Sequence, residues 1–161
     1  MKIRHSRFTI WQRVTDSLSI AMAAGTLLYA AVRYHALPDR IASHFDNAGN
    51  ITDYQGKSML FMLGFILLLM TGVLCLLARI PGLYKTINSP WTIPFGREGA
   101  AAVLVKNCVC ECNAAMTFIL AYCLVGSITG RLYALPVWIA TALTGVSVAV
   151  MILRFYRLCK R

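Results

Sequence analysis

Residues 37–57, LPDRIASHFDNAGNITDYQGK, concentrate the side chains whose types and spacing could support chemistry. Three of the six acidic residues of the chain lie in this stretch, and His44 lies between Asp39 and Asp46. A histidine near carboxylates can act as a metal ligand, a general base or a pH sensor, because its pKa is near physiological pH. Long apolar runs flank the stretch on both sides. The structures that these runs form therefore decide where the polar residues are presented.

The spacing of the polar residues does not match two familiar ligand-binding loops. An EF-hand needs oxygen ligands at alternate positions, a glycine at the sixth and a glutamate at the twelfth, which Asp46 and Asp53 do not supply. The tripeptide GKS at 56–58 is not the end of a P-loop, because Ile51 stands where its first glycine is needed. A hydrogen-bonded loop histidine is favoured over a metal ligand. We predict no catalytic residue, no metal and no cofactor.

Glu111 and Asn113 interrupt the third apolar run of the chain. A charged side chain inside a membrane helix is costly and normally faces a partner or water. Arg79, Lys106 and a basic residue near Arg154 are the candidate partners of Glu111. The second and fourth apolar runs contain no acid or histidine. Static pairing between helices is therefore favoured over an ion or proton relay.

The composition indicates a membrane protein. The chain is 58% hydrophobic and 14% charged, and its mean hydropathy is +0.65, whereas soluble domains carry about 25% charged residues. The net charge is +10, but the basic residues lie at the edges of apolar runs, which favours membrane anchoring over nucleic-acid binding. The six cysteines lie in or beside apolar runs or near the basic C-terminus. We interpret them as reduced thiols, not as a disulfide scaffold or a zinc site.

Four apolar segments of nearly bilayer length predict an all-α integral membrane protein, since a spanning helix needs about 20 apolar residues. The predicted architecture is a four-transmembrane-helix bundle with an extracytoplasmic loop cap between helices one and two. Within a single domain, 1–161, the predicted segments are a cytoplasmic N-terminus 1–14, helix one 15–35, an outer loop 36–57, helix two 58–79, a cytoplasmic segment 80–106, helix three 107–130, helix four 132–153 and a cytoplasmic tail 154–161.

Basic residues predict the orientation of the chain. They precede helix one, lie between helices two and three, and follow helix four. The positive-inside rule then places both termini in the cytoplasm and residues 37–57 outside. The basic N-terminus resembles that of a signal peptide, but the apolar run after it is long and offers a poor cleavage site. We expect this run to be retained as the first helix.

The loop after the first helix resembles a bacterial family. Its order of residues, LP-x-x-I-x-x-HF-x-x-x-G with a later lysine, is similar to the domain of unknown function 1648, the N-terminal half of SdpI-like membrane proteins. Ala42 departs from the pattern, because the family usually has proline there, and SdpI-like proteins commonly have more than four spans. The residues that carry the resemblance, and that we predict to form a binding surface, are Leu37, Pro38, Ile41, His44, Phe45, Gly49, Asp53 and Lys57.

A second similarity lies in the predicted cytoplasmic segment, where Asn88 and Pro90 match the family's N-x-P motif. In the outer loop, Ile41 and Phe45 are four residues apart, which predicts a short helix that buries both against the bundle. Gly49 permits a turn with positive φ. These features favour a recognition cap over an active site.

The resemblance implies a non-enzymatic protein of the bacterial plasma membrane that gives immunity or signalling. The expected partners are the lipid bilayer and either a toxic peptide outside or a soluble regulator inside; no nucleic acid is expected, and an oligomer is left open. One alternative is a small transporter or transporter subunit acting as an oligomer, which would need a polar path through the bundle. The other is a membrane enzyme or metal site at the outer face, which would need a convergent His–Asp cluster.

Overall fold

The computed structural model describes residues 8–80 and 92–160. Four of its helices are long and apolar enough to cross a membrane, by length and composition, as expected for a multi-pass membrane protein. The elements, in chain order, are α1 Ile10–Tyr34, β1 Arg40–Phe45, β2 Ile51–Gly56, α2 Met59–Arg79, α3 Glu98–Thr129 and α4 Ala134–Lys160.

The segment between α1 and α2 is a β-hairpin, so the prediction of an all-α chain is wrong here. β1 and β2 pair antiparallel, with Arg40 opposite Gly56 and Phe45 opposite Ile51. The short helix predicted from the spacing of Ile41 and Phe45 is also wrong, because both residues belong to β1, in which Ile41 is buried and Phe45 is only half-buried. β2 is ITDYQG, rich in the β-branched and aromatic residues that favour strands.

α1 begins earlier than the predicted helix one because its start is capped. The Thr9 side chain accepts a hydrogen bond from the Gln12 amide, and the Gln12 side chain accepts one from the Thr9 amide. This reciprocal capping box satisfies two backbone donors that an uncapped helix would leave unpaired. The first turn of α1 therefore includes the polar residues that precede the apolar run.

α3 is the central helix of the bundle. It contacts α1, α2 and α4, whereas α1 and α2 contact each other much less. Its 32 residues give a length of about 48 Å, so it extends beyond a hydrocarbon core of about 30 Å. α3 ends at Gly130, which has a φ of 66° and allows the tight turn into α4.

The bundle has two apolar clusters, one at each end. The hairpin end, defined by β1–β2 and the α3–α4 turn, contains a cluster of Ala30, Leu37, Ile41, Leu60, Leu124 and Ile128. The opposite end, called the far end below, contains Ala101, Val105 and Phe155. α4 is the least covered helix, because Ala140 and Phe155 are its only buried residues.

Candidate functional site

The hairpin is anchored to the helices by an apolar contact. Leu37 and Ile41 are buried beside Leu60 of α2 and the end of α3. Burial of an isoleucine or leucine side chain stabilises a fold by about 1.5–3 kcal/mol, so these contacts fix the position of β1. Two of the eight predicted loop residues therefore act as structural anchors and are not available to a ligand.

Lys57 holds the two ends of the hairpin together. Its Nζ lies 3.1 Å from Asp39 Oδ1 and 3.5 Å from the Leu37 carbonyl oxygen, which accepts a hydrogen bond from it. The same ammonium lies 5.6 Å from the centre of the Tyr34 ring. Lys57 is therefore occupied in joining α1, β1 and the start of α2. Pro38, the neighbour of Leu37, is exposed.

Asp46 organises the turn of the hairpin. Its carboxylate accepts hydrogen bonds from the Ala48 amide at 2.9 Å, the Asn50 amide at 2.8 Å and the Asn50 side chain at 2.9 Å. These bonds, led by that of the Asn50 side chain, lower the pKa of Asp46 below its ordinary value of 3.8. The Asp46 carboxylate, weighed above as a calcium ligand, is therefore used inside the turn itself.

Gly49 brings the turn against the α3–α4 connection. Its φ is 88°, in the left-handed region that glycine adopts without penalty. A Cβ at this position would collide with the backbone carbonyl oxygen of Leu132. Both the conformation and the close approach require glycine, so the turn is fixed to the bundle at a second point.

The outward face of the hairpin presents His44 and Asp53. They are opposite each other in the β-ladder, and His44 Nδ1 lies 3.6 Å from Asp53 Oδ2. Their side chains are 65% and 56% exposed, respectively. Ser43 Oγ lies 3.2 Å from the same histidine nitrogen, and Phe45, the next residue of β1, is half-buried. The His44–Asp53 surface offers hydrogen-bond donors and acceptors, an arrangement suited to contact with a polar segment of a partner.

The register explains why His44 and Asp53 meet. The ladder is irregular between Ala42 and His44 and again between His44 and Phe45. Such a bulge re-aims the side chains around it. Ile41 and Ala42 are consequently both buried, while His44 is exposed. Sequence patterning alone did not reveal this pairing, because a bulge breaks the regular alternation of a strand.

Glu111 lies in α3 but contacts none of the basic residues considered as its partners. Its Oε1 accepts a hydrogen bond from Trp11 Nε1 at 2.9 Å, and its Oε2 accepts one from Ser147 Oγ. Lys106 instead places its ammonium 5.2 Å from the centre of the Phe8 ring. Glu111 therefore joins α1, α3 and α4 through neutral donors, and no described cation is paired with it.

Asn113 joins α2 to α3. Its Nδ2 donates to Cys75 Sγ at 3.1 Å, and its Oδ1 accepts from Thr117 Oγ1 at 3.4 Å. Thr117 Oγ1 is in turn 2.9 Å from Thr71 Oγ1 of α2. Asn113 is completely buried. These bonds are contacts between helices of the kind that contributes about 1 kcal/mol in a membrane.

Sequence reasoning missed the role of Asp16. It is only 5% exposed, and neither of its carboxylate oxygens has a hydrogen-bond partner among the described residues. Gln12, Thr15 and Ser19 are buried with it. These positions are separated by three or four residues, the spacing of one helix face. This polar stripe is the sequence pattern that could have revealed the burial of Asp16. It indicates that α1 packs against protein along that face.

The other residues singled out in the sequence do not form a metal-binding group. Among the residues that the structure describes, no cluster of three or more His, Cys, Asp and Glu side chains could hold a metal. Cys108 and Cys112 lie one helical turn apart, with 4.0 Å between their sulfurs. The predicted motif residues Asn88 and Pro90 lie outside the described residues.

A comparison with protein families finds a match to the part of the chain that carries the hairpin. Residues 21–69 match the family described as Domain of unknown function (DUF1648). No curated protein and no solved structure matches the chain. The matched segment runs from α1 through both strands into α2 and includes all eight predicted loop residues. The match supports membership of the DUF1648 family for this segment.

Proposed function

We propose that the chain is a non-enzymatic membrane protein that recognises a peptide, or a stress on the cell envelope, through its β-hairpin. By resemblance to SdpI-like proteins, it would serve immunity or signalling in a bacterial plasma membrane. The hairpin would face outward, with both termini in the cytoplasm. A single observation carries the proposal: the exposed His44–Asp53 pair is presented on a hairpin whose other side is fixed to the bundle.

Rigid attachment favours recognition because it reduces the conformational entropy lost when a partner binds. The hairpin is held by Ile41 in the apolar cluster, by Lys57 at its base and by Gly49 at its turn. Three attachments of different kinds leave the His44 side in a defined position. A partner would meet an ordered polar surface there.

The physical contact would be a polar one. An exposed histidine and aspartate can exchange hydrogen bonds with peptide amides and with charged side chains of either sign. The gap of 3.6 Å between their facing atoms leaves the pair weakly engaged with itself. A peptide could therefore compete for either member without breaking a strong internal bond.

The experiment is a survival assay in a bacterial host that expresses the protein and is challenged with membrane-active peptides. Expression of the wild type is expected to raise the lethal concentration for at least one peptide. His44→Ala and Asp53→Ala are expected to remove most of that protection at matched membrane abundance. Thr52→Ala, which changes an exposed β2 residue near the pair, is expected to retain it.

Two results would contradict the proposal. Equal survival with and without the protein across the peptide panel would remove immunity as its function. Protection that persists in both His44→Ala and Asp53→Ala would move recognition away from the hairpin surface.

A small transporter acting as an oligomer is the second candidate, and one observation favours it. Asp16 is a buried carboxylate without a hydrogen-bond partner in the part of the chain that the structure describes, a feature common along ion pathways. However, Leu67 of α2 and Leu124 of α3 are fully buried at positions nearer the hairpin end. These leucines place apolar packing between the carboxylate and that end of the bundle, which disfavours an ion pathway. Flux assays in vesicles would separate the candidates, since transport predicts movement of an ion that Asp16→Asn abolishes.

A further inference from the structure

A lengthwise groove lies on α3 between α1 and α4. Its volume is about 740 Å³, within the range of about 300–1,000 Å³ that is usual for small-molecule sites. It extends along α4 from Leu135 to Ser147, thirteen residues that span about 18 Å. Its walls are almost entirely apolar and include Ala114, Ala115, Phe118 and Leu143.

One charged side chain lines this groove, and it is Glu111. Glu111 lies about 27 Å from the end of α3 at Thr129, as calculated from the helical rise. Its charge is therefore at the end of the groove that is more distant from the hairpin. Among residues 8–80 and 92–160, none that lines the groove is basic. A carboxylate at the end of an apolar groove, with no cation among these lining residues, creates a local preference for positive charge.

Glu111 retains capacity to bind a ligand. An ionised carboxylate has about four acceptor positions, and Trp11 and Ser147 occupy two of them. The same two donors hold the carboxylate in place at the groove wall. A cationic head group could therefore add its own charge-assisted hydrogen bonds without displacing either donor.

We propose that this groove binds an amphiphile that has a hydrocarbon chain and an ammonium head group, with the head group at Glu111. The chain would lie along the apolar walls towards Leu135. A zwitterionic phospholipid fits less well, because its phosphate would be near Glu111 and none of the described lining residues is a cation that would compensate it. The proposal does not rest on the proposed function of the hairpin, which uses other residues.

The test is photolabelling of the full-length protein in phosphatidylcholine nanodiscs. The probes are tetradecylamine and tetradecanol, each with a diazirine near the end of the chain. The amine is expected to label groove residues of α3 and α4 saturably, and unlabelled tetradecylamine is expected to compete. The alcohol is expected to label the same residues at least about tenfold more weakly, since it lacks the charge-assisted bond.

Two variants and one control complete the experiment. Glu111→Gln is expected to weaken amine labelling by about tenfold and to leave alcohol labelling unchanged. Ala115→Phe fills the groove and is expected to reduce labelling by both probes. Glu98→Gln removes a carboxylate in the first turn of α3, outside the groove, and is expected to leave both unchanged.

Equal labelling of the wild type by the amine and the alcohol would overturn the proposal, as would amine labelling that Glu111→Gln does not alter. Crosslinks between α4 helices of two copies, together with loss of probe labelling, would show that a second copy covers the groove and would also overturn it. Failure of the survival assay described above would leave these outcomes unaffected, because Glu111 and Ala115 are not part of the hairpin.

Discussion

Asp16 carries an electrostatic cost that its neighbours do not relieve. Both of its oxygens are buried without a donor among the described residues, whereas Glu111 and Asp46 each have donors. A buried polar group without a partner costs about 1–3 kcal/mol, and an ionised one costs more.

Replacement of Asp16 by Asn is expected to stabilise the protein by about 1–3 kcal/mol, because a buried carboxyl group without a donor costs more than the isosteric amide. The measurement is the unfolding free energy in detergent micelles, obtained by denaturant titration. Glu98→Gln is the control: it removes a half-buried carboxylate from the first turn of α3, and it is expected to destabilise the protein by about 0.3–1 kcal/mol, the opposite direction, because the interaction with the helix dipole is lost. A less stable Asp16→Asn variant would reveal a favourable partner of the carboxylate.

Gly49 and Gly96 permit a separation of conformational strain from steric collision. Both have positive φ, 88° and 84°, but a Cβ would collide with Leu132 only at Gly49, while no atom of the described residues lies within 4 Å of a Cβ at Gly96. Gly96→Ala is expected to cost about 1 kcal/mol from strain alone. Gly49→Ala is expected to cost about 1–3 kcal/mol more, since the turn must move from the α3–α4 connection.

Thermal unfolding midpoints of both glycine variants in the same detergent would check this difference. Hydrogen exchange would locate it, because faster exchange of the hairpin amides is expected only in Gly49→Ala. Equal midpoints for the two variants would mean that the turn is not held against Leu132.

Among the elements, the hairpin depends on pH through its turn. The hydrogen bonds to Asp46 stabilise its ionised carboxylate, and they therefore lower its pKa below 3.8. Their contribution to hairpin stability is therefore fully present above pH 3.8 and is lost as the pH falls through the lowered pKa. The amide resonances of Ala48 and Asn50 are expected to titrate below pH 3.8, and Asp46→Asn is expected to remove this titration.

The helices could be predicted from the sequence, and the hairpin could not. Each apolar run of nearly bilayer length became a helix, because only a helix satisfies every backbone group within one segment in lipid. The segment between α1 and α2 lacked this constraint. Ile41 and Phe45 fit a helix and a strand equally well, and the decisive signals were β-branched Ile51 and Thr52 after a glycine-containing turn.

The residues of the candidate sites also differ in whether the sequence could predict them. Gly49 was predicted at a turn, and its positive φ is confirmed. The neutral partners of Glu111 could not be predicted, because Trp11 is 100 residues away in the chain. Charge matching favours Arg79 and Lys106, but side-chain contacts depend on the rotation of each helix about its axis, which apolar sequence specifies weakly.

At the scale of the whole molecule, the orientation remains a prediction. A cysteine-free variant carrying Asn47→Cys is expected to react with a membrane-impermeant maleimide in intact cells, because Asn47 is exposed at the turn of the hairpin. Lys160→Cys in the same background is expected to react only after the membrane is permeabilised. The reverse pattern would place the hairpin in the cytoplasm and contradict the positive-inside assignment.

The central position of α3 has a consequence for biogenesis. α1 and α2 enter the membrane first during synthesis, yet each has its main contacts with α3. Until α3 arrives, the stripe of Gln12, Thr15, Asp16 and Ser19 on α1 would face lipid or the insertion machinery. Since polar groups are costly in lipid, α1 should be retained beside the translocon or a membrane chaperone until the third span has been made. A nascent chain that ends before residue 98 should therefore crosslink to that machinery, and the full-length chain should be released from it.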